Sequence, residues 1–165
     1  MRLFERASGG SMNVCVIGGA GYVGLVTGLG LAELGHQVAL VDVNEDRIHQ
    51  LSNGHAPIYE KELTALLERH RQSGAVKFTT KIGEGIKDCE VVFVAVGTPK
   101  RDDGKPDLSQ VIQVAEDLND LLTNYIVIVI KSTVPVGTVE LFQSILTRNH
   151  TEGREFDLVS NPEFL

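Results

Sequence analysis

A glycine-rich loop between two short apolar runs, followed at a fixed distance by an acid, constrains this chain more than any other feature. The sequence runs Asn13-Val14-Cys15-Val16-Ile17-Gly18-Gly19-Ala20-Gly21-Tyr22-Val23-Gly24. It continues through a helix-like stretch and resumes as His36-Gln37-Val38-Ala39-Leu40-Val41-Asp42. Gly19, Gly21 and Gly24 satisfy G-x-G-x-x-G directly after a predicted strand, and Asp42 stands eighteen residues past Gly24 at the end of a second one. That order is the order of a strand–helix–strand dinucleotide-binding unit. The first glycine is expected to allow a tight turn, the second to let the backbone approach a pyrophosphate, and the third to let the helix pack closely on the strand. The helix N-terminus offers unbonded N–H groups and partial positive charge to phosphates. A carboxylate at Asp42 accepts hydrogen bonds from a ribose diol and repels a 2′-phosphate, which favours NAD over NADP.

The rest of the chain alternates strand-like and helix-like segments. Strands are predicted at Val14–Gly18, Gln37–Asp42, Val76–Thr79, Val91–Val96, Tyr125–Lys131 and, more weakly, Phe156–Ser160. They are short and nearly continuous in apolar residues, as strands buried on both faces of a parallel sheet are. Helices are predicted at Tyr22–Leu34, Glu45–Ser52, Glu60–Gln72, Leu108–Leu122 and Thr138–Thr147. Leu25, Leu29 and Ala32 form the apolar stripe of the first, and Gly35 is placed to end it. Asp107 is placed to cap the fourth. The expected fold is α/β: a Rossmann-type, doubly wound, mostly parallel sheet in a single domain over residues 12–165. Residues 1–11, which include Ser8-Gly9-Gly10-Ser11, read as a flexible extension, an expression remnant or the product of an early start codon.

Composition narrows the function classes. With 165 residues the chain is long enough to bury one substantial core, and its net charge of −7 argues against nonspecific nucleic-acid binding and anionic membranes. The apolar run Tyr125–Ile130 is too short to span a bilayer. Cys15 and Cys89 lie in or beside predicted strands and read as free, buried thiols of a reducing, cytoplasmic compartment. The five histidines show no Cys/His spacing, so no metal site is expected.

The unusual residues collect where ligands bind in such sheets, at the carboxyl ends of the strands. Val96-Gly97-Thr98-Pro99 ends the fourth strand, Lys131-Ser132-Thr133-Val134-Pro135-Val136-Gly137-Thr138 ends the fifth, and Asn161-Pro162-Glu163-Phe164-Leu165 follows the sixth. Singly, each reads equally as a turn or a helix start. Together and in this order, they resemble the UDP-glucose/GDP-mannose dehydrogenase family from about Asn13 to Leu165. Asn53-Gly54-His55-Ala56-Pro57-Ile58-Tyr59-Glu60 and Asp103-Gly104-Lys105-Pro106-Asp107-Leu108-Ser109 are similar to further segments of that family.

The resemblance implies oxidation of the C6 alcohol of a nucleotide sugar to a carboxylate with two NAD⁺, through an aldehyde captured by a cysteine thiolate and a thioester hydrolysed by water. By position it implies that Gly19, Gly21, Tyr22, Val23 and Gly24 hold the pyrophosphate, and Asp42 and Arg47 the adenosine ribose. Thr98 and Ser132 would line the nicotinamide side, and Thr133 would orient a water and the cofactor. Glu163 would lie near the sugar and help activate water, a role suited to a carboxylate. Phe164 and Leu165 would touch the sugar nucleotide. The family's nucleophilic cysteine lies downstream of Leu165, and neither Cys15 nor Cys89 matches its context. The expectation is therefore an N-terminal cofactor domain of a longer, homo-oligomeric enzyme, which by itself binds NAD without turnover.

Two other readings stay open at this level. Gly18-x-x-Gly21-x-x-Gly24 also fits the loop of extended short-chain dehydrogenases and sugar-nucleotide epimerases. Those enzymes need Tyr-x-x-x-Lys, whereas Tyr22, Tyr59 and Tyr125 are followed four residues later by Val26, Leu63 and Val129. A non-catalytic NAD-sensing module would keep the glycine loop and Asp42 but would not need Thr133 or Glu163.

Overall fold

The Val- and Ile-rich runs form six strands: β1 (Asn13–Ile17), β2 (Gln37–Val41), β3 (Val76–Thr79), β4 (Val91–Val94), β5 (Ile126–Ile130) and β6 (Phe156–Ser160). The computed structural model describes residues 10–60, 62–148 and 156–163. The expectations for residues 1–9, Phe164 and Leu165 therefore fall outside the described residues. All strand pairings are parallel, in the order β3-β2-β1-β4-β5-β6. The order reverses direction between β1 and β4, which opens a crevice at that point.

Helices cover both faces of the sheet. They are α1 (Tyr22–Glu33), α2 (Glu45–Ser52), α3 (Leu63–Ser73), α4 (Ile82–Gly85), α5 (Ser109–Leu121) and α6 (Thr138–Leu146). The two-residue period of β1 divides the core. Val14 and Val16 pack with Leu25, Leu29, Leu51 and Leu67 on one side. Cys15 and Ile17 pack with Val114, Leu118, Phe142 and Ile145 on the other. Each fully buried leucine of this kind contributes about 1.5–3 kcal/mol, so the two apolar layers fix which way every strand faces. No helix among the described residues is long and apolar enough to cross a membrane.

Local chemistry explains the element ends. Gly35 adopts φ +99°, its N–H bonds the Ala32 carbonyl and the His36 N–H bonds that of Leu31, a Schellman closure of α1. The helix expected from Glu60 begins at Leu63 instead, because Glu62 takes a left-handed conformation at φ 68°. Leu108, not Asp107, occupies the cap position of α5. The Asp107 carboxylate still accepts the Ser109 N–H at 2.9 Å, and that bond holds its carboxyl below the usual range. The four-residue α4 has no counterpart in the sequence reading, since one turn is too short to show a period.

Candidate functional site

The strand register builds the site. Val41, Ile17, Val94, Ile130 and Ser160 are mutual partners across the sheet, so their strands end on one level. The residues that follow (Asp42, Gly18, Ala95, Lys131 and Asn161) leave the sheet along the same edge. This is how motifs separated by more than a hundred residues in sequence come to share one crevice.

The glycine loop is pinned at its base. The N–H groups of Gly18 and Gly19 both donate to the Val41 carbonyl, at 2.8 and 2.9 Å, and the Gly21 N–H donates back to the Gly18 carbonyl at 3.1 Å. The tight turn expected at Gly19 is made at Gly18, which alone of the loop glycines has positive φ, +85°. A Cβ there would lie 2.5 Å from the Ala95 carbonyl oxygen, so Gly18 also lets the loop lie against the exit of β4. At Gly24 a Cβ would lie 2.2 Å from the Gly18 carbonyl oxygen, so the close approach of α1 is to the glycine loop rather than to the strand itself. Around Gly21 a Cβ would meet only that same oxygen, at 3.3 Å. The first backbone bond of the helix runs from Leu25 to the Gly21 carbonyl at 2.9 Å. The N–H groups of Tyr22, Val23 and Gly24 thus precede the bonded part of the helix, the position from which backbone N–H groups can meet an anion.

Asp42 ties the second strand to this loop. Its Oδ2 accepts the Ala20 N–H and its Oδ1 the Asn44 N–H, each at 3.0 Å. A carboxylate has about four lone-pair sites, so two such bonds fix its orientation and leave acceptors for a ribose diol. Asn44 in turn caps α2, accepting the Arg47 N–H at 3.0 Å. The Arg47 side chain is exposed, and no partner among the described residues holds its guanidinium. Tyr22 is 45% exposed, and its hydroxyl reaches Glu60 Oε1 at 3.4 Å, which joins the Asn53–Glu60 loop to the start of α1.

The segments after β4, β5 and β6 are laced together. The buried Ser132 hydroxyl donates to the Val96 carbonyl at 2.7 Å, and Thr98 Oγ1 donates to the Thr133 carbonyl at 3.0 Å. Thr133 Oγ1 donates to the Glu163 carbonyl at 2.5 Å. Thr98, Ser132, Thr133 and Glu163 therefore lie in one bonded cluster, with the Ser132 hydroxyl directed to backbone. Lys131, to which no sequence motif gives a role, has its Nζ 2.7 Å from Glu163 Oε2. A lysine directly after an apolar strand run was the available signal. Its partner, thirty-two residues away, becomes visible only with the pairing of β5 and β6.

Neither cysteine belongs to this edge. Cys15 is buried within β1, and burial pushes its thiol well above the ordinary value. Cys89, at the opposite end of β4, is pushed up to about 11, chiefly by burial and then by the charges of Asp88 and Glu90. Among the described residues no three His, Cys, Asp or Glu side chains gather as metal ligands.

A parallel sheet in this order, with a glycine loop at its switch point and an acid closing the second strand, defines a dinucleotide-binding domain of the Rossmann class. A profile of the UDP-glucose/GDP-mannose dehydrogenase family, NAD binding domain, matches residues 12–165. The chain belongs to that family. It is 45% identical to UDP-glucose 6-dehydrogenase of Pseudomonas aeruginosa over 93% of its own length and 34% of the relative's. It is 44% identical to UDP-glucose 6-dehydrogenase TuaD of Bacillus subtilis, over 89% of this chain and 32% of that one. The solved UDP-glucose dehydrogenase of Pyrobaculum islandicum superposes with TM-score 0.88 at 36% identity, covering 99% of this chain and 38% of that one. GDP-mannose dehydrogenase from Pseudomonas aeruginosa superposes with TM-score 0.83 at 32% identity, covering 93% and 36%. The chain thus spans about a third of the length of the curated relatives it matches.

Proposed function

We propose that this domain holds NAD⁺ along the carboxyl edge of its sheet, as the cofactor half of an enzyme that oxidises the C6 alcohol of UDP-glucose, or a related UDP- or GDP-sugar, to the carboxylate. Two NAD⁺ are consumed. The observation that carries the reading is the junction of two groups at one edge: the glycine loop with Asp42, and the bonded cluster of Thr98, Ser132, Thr133 and Glu163. A cofactor-sensing module would need only the first group.

The residues present fit the cofactor. The N–H groups of Tyr22, Val23 and Gly24 bind the pyrophosphate, and the bare Cα of Gly21 lets it approach. Asp42 accepts from the ribose hydroxyls, and the exposed Arg47 lies one turn of α2 away to meet the adenosine portion. When bound, the nicotinamide ring supplies a two-electron hydride acceptor. Thr98 and Ser132 wall that end of the crevice, and Thr133 orients a water against the ring. Glu163 accepts a proton from the water that releases the product, and Phe164 and Leu165 are assigned to contact with the sugar nucleotide by their position in the sequence. The complete enzyme works in the reducing cytoplasm as a homo-oligomer, with residues 12–165 as its cofactor domain and the nucleophilic cysteine contributed from elsewhere.

Calorimetric titration with NAD⁺ and NADP⁺, beside an assay of NADH formation with UDP-glucose, tests this. The 165-residue chain is expected to bind NAD⁺ at least tenfold more tightly than NADP⁺, an order-of-magnitude figure for repulsion of the 2′-phosphate by Asp42, and to produce no NADH. Equal affinity for the two cofactors, or turnover by the chain alone, would overturn it.

A further inference from the structure

The Lys131–Glu163 pair has the geometry of a device for presenting one carboxylate oxygen. The lysine side chain is only 14% exposed and the glutamate 38%, so the ammonium, at the end of β5, is largely buried while the acid keeps a partly open face. The Glu163 backbone is held at both ends: its N–H donates to the Lys131 carbonyl at 3.2 Å, and its carbonyl accepts from Thr133 Oγ1. Asn161 steadies the approach, with its N–H on the Ile130 carbonyl at 2.9 Å and its Oδ1 3.5 Å from Lys131 Nζ. With the main chain so fixed, the single contact at 2.7 Å sets the direction of the side chain.

That contact uses Oε2 alone. Glu163 Oε1 has no partner among the described residues. An ammonium is a compact point charge that engages one oxygen, whereas a guanidinium presents a fork that occupies both. A lysine here therefore anchors the carboxylate while sparing an acceptor. A largely buried ammonium also has no ready alternative partner in water, so the pair is held more firmly than an exposed one.

We infer that Lys131 is a positioning residue for Glu163: it ties Oε2 and leaves Oε1 aimed into the crevice as the acceptor for a proton from water. This deepens, and rests on, the general-base role proposed for Glu163. The proton passes from the water to Oε1 and Lys131 keeps its own, so the lysine neither gains nor loses charge.

Two measurements test it. In the enzyme that carries this domain at full length, Lys131→Met is expected to lower kcat about tenfold to a hundredfold, less than the roughly 10²- to 10⁴-fold that loss of a general base itself costs. KM for the nucleotide sugar and Kd for NAD⁺ should stay within about twofold, since an indiscriminate structural defect would move all three. The double variant Lys131→Met, Glu163→Gln should be no slower than Glu163→Gln alone. Independent, multiplicative losses, or a loss confined to NAD⁺ affinity, would overturn the inference. The second measurement needs no turnover. In the 165-residue chain, ¹⁵N-edited NMR should show a slowly exchanging Lys131 ammonium signal that is lost in Glu163→Leu. An ammonium signal indifferent to Glu163→Leu would overturn the pairing even if Lys131→Met failed to fold. Failure of the wild-type enzyme to reduce NAD⁺ with any nucleotide sugar, with that signal intact, would instead refute the proposed function.

Discussion

Replacing Gly18 by alanine separates two costs that the glycine loop imposes, and Gly35 supplies the control. Gly35 has φ +99° and open space around its Cα, so Gly35→Ala carries only the left-handed conformational penalty, about 1–2 kcal/mol. Gly18 has φ +85° and the same penalty, but its new Cβ would also lie 2.5 Å from the Ala95 carbonyl oxygen, 2.7 Å from its carbon and 2.9 Å from the Val96 nitrogen. These are backbone atoms leaving a central strand and cannot rotate away. Overpacking of that kind adds about 1–3 kcal/mol, for a total of about 2–5 kcal/mol. Against a native stability of about 5–15 kcal/mol this is a large fraction, and it lowers the melting temperature by roughly 4–20 °C. Urea unfolding of wild type, Gly18→Ala and Gly35→Ala at constant m-value measures it. Gly21→Ala completes the set: φ is ordinary there and the one neighbour stands at 3.3 Å, so stability should change by less than about 1 kcal/mol. Its affinity for NAD⁺ should fall about tenfold or more, because a methyl group enters the space a phosphate needs. Gly18→Ala as stable as Gly35→Ala would refute the steric argument, and undiminished NAD⁺ affinity in Gly21→Ala would refute the approach of phosphate at that Cα.

The remaining predictions concern acid, thiols and the strand-end lacing. Glu33 accepts hydrogen bonds from His70 and Arg69, which hold its carboxyl below the usual range. Glu68, Glu84 and Asp107 are lowered likewise, first by hydrogen bonds from Arg71, Thr79 and Ser109. The native state therefore binds these protons less readily than the unfolded chain. Its stability is full above the ordinary carboxylate range and drains as pH falls through the lowered values. Thermal melts between about pH 6 and pH 3 should show that fall, and Glu33→Gln should make it shallower; an unchanged acid limb would count against the pair. A thiol reagent at about pH 8 should modify Cys89 slowly, faster as pH rises toward about 11, and Cys15 only on unfolding. Rapid labelling of both in the native protein would contradict their burial. Ser132→Ala should cost about 1–2 kcal/mol, because the Val96 carbonyl loses the donor at 2.7 Å, and denaturant titration checks it.

The sequence by itself determined what local chemistry can dictate. Short apolar runs flanked by turns read as strands buried on both faces, and Gly35, directly after the apolar stripe of the first helix, reads as its end. It also placed Asp42, Thr98, Ser132, Thr133 and Glu163 immediately after strands, the one position from which a parallel sheet presents ligands. The tertiary structure decided everything that depends on two distant backbones meeting. The turn lies at Gly18 because only there does the loop press against the exit of β4, a contact between residues nearly eighty positions apart. The helix expected at Glu60 starts late because Glu62 is turned left-handed. Above all, Lys131 gains its significance from a neighbour thirty-two residues away. Sequence fixes which groups stand at the ends of strands, through steric and hydrophobic rules that act over a few residues. Register fixes which of those groups touch, because a 2.7 Å bond depends on the level at which two strands end.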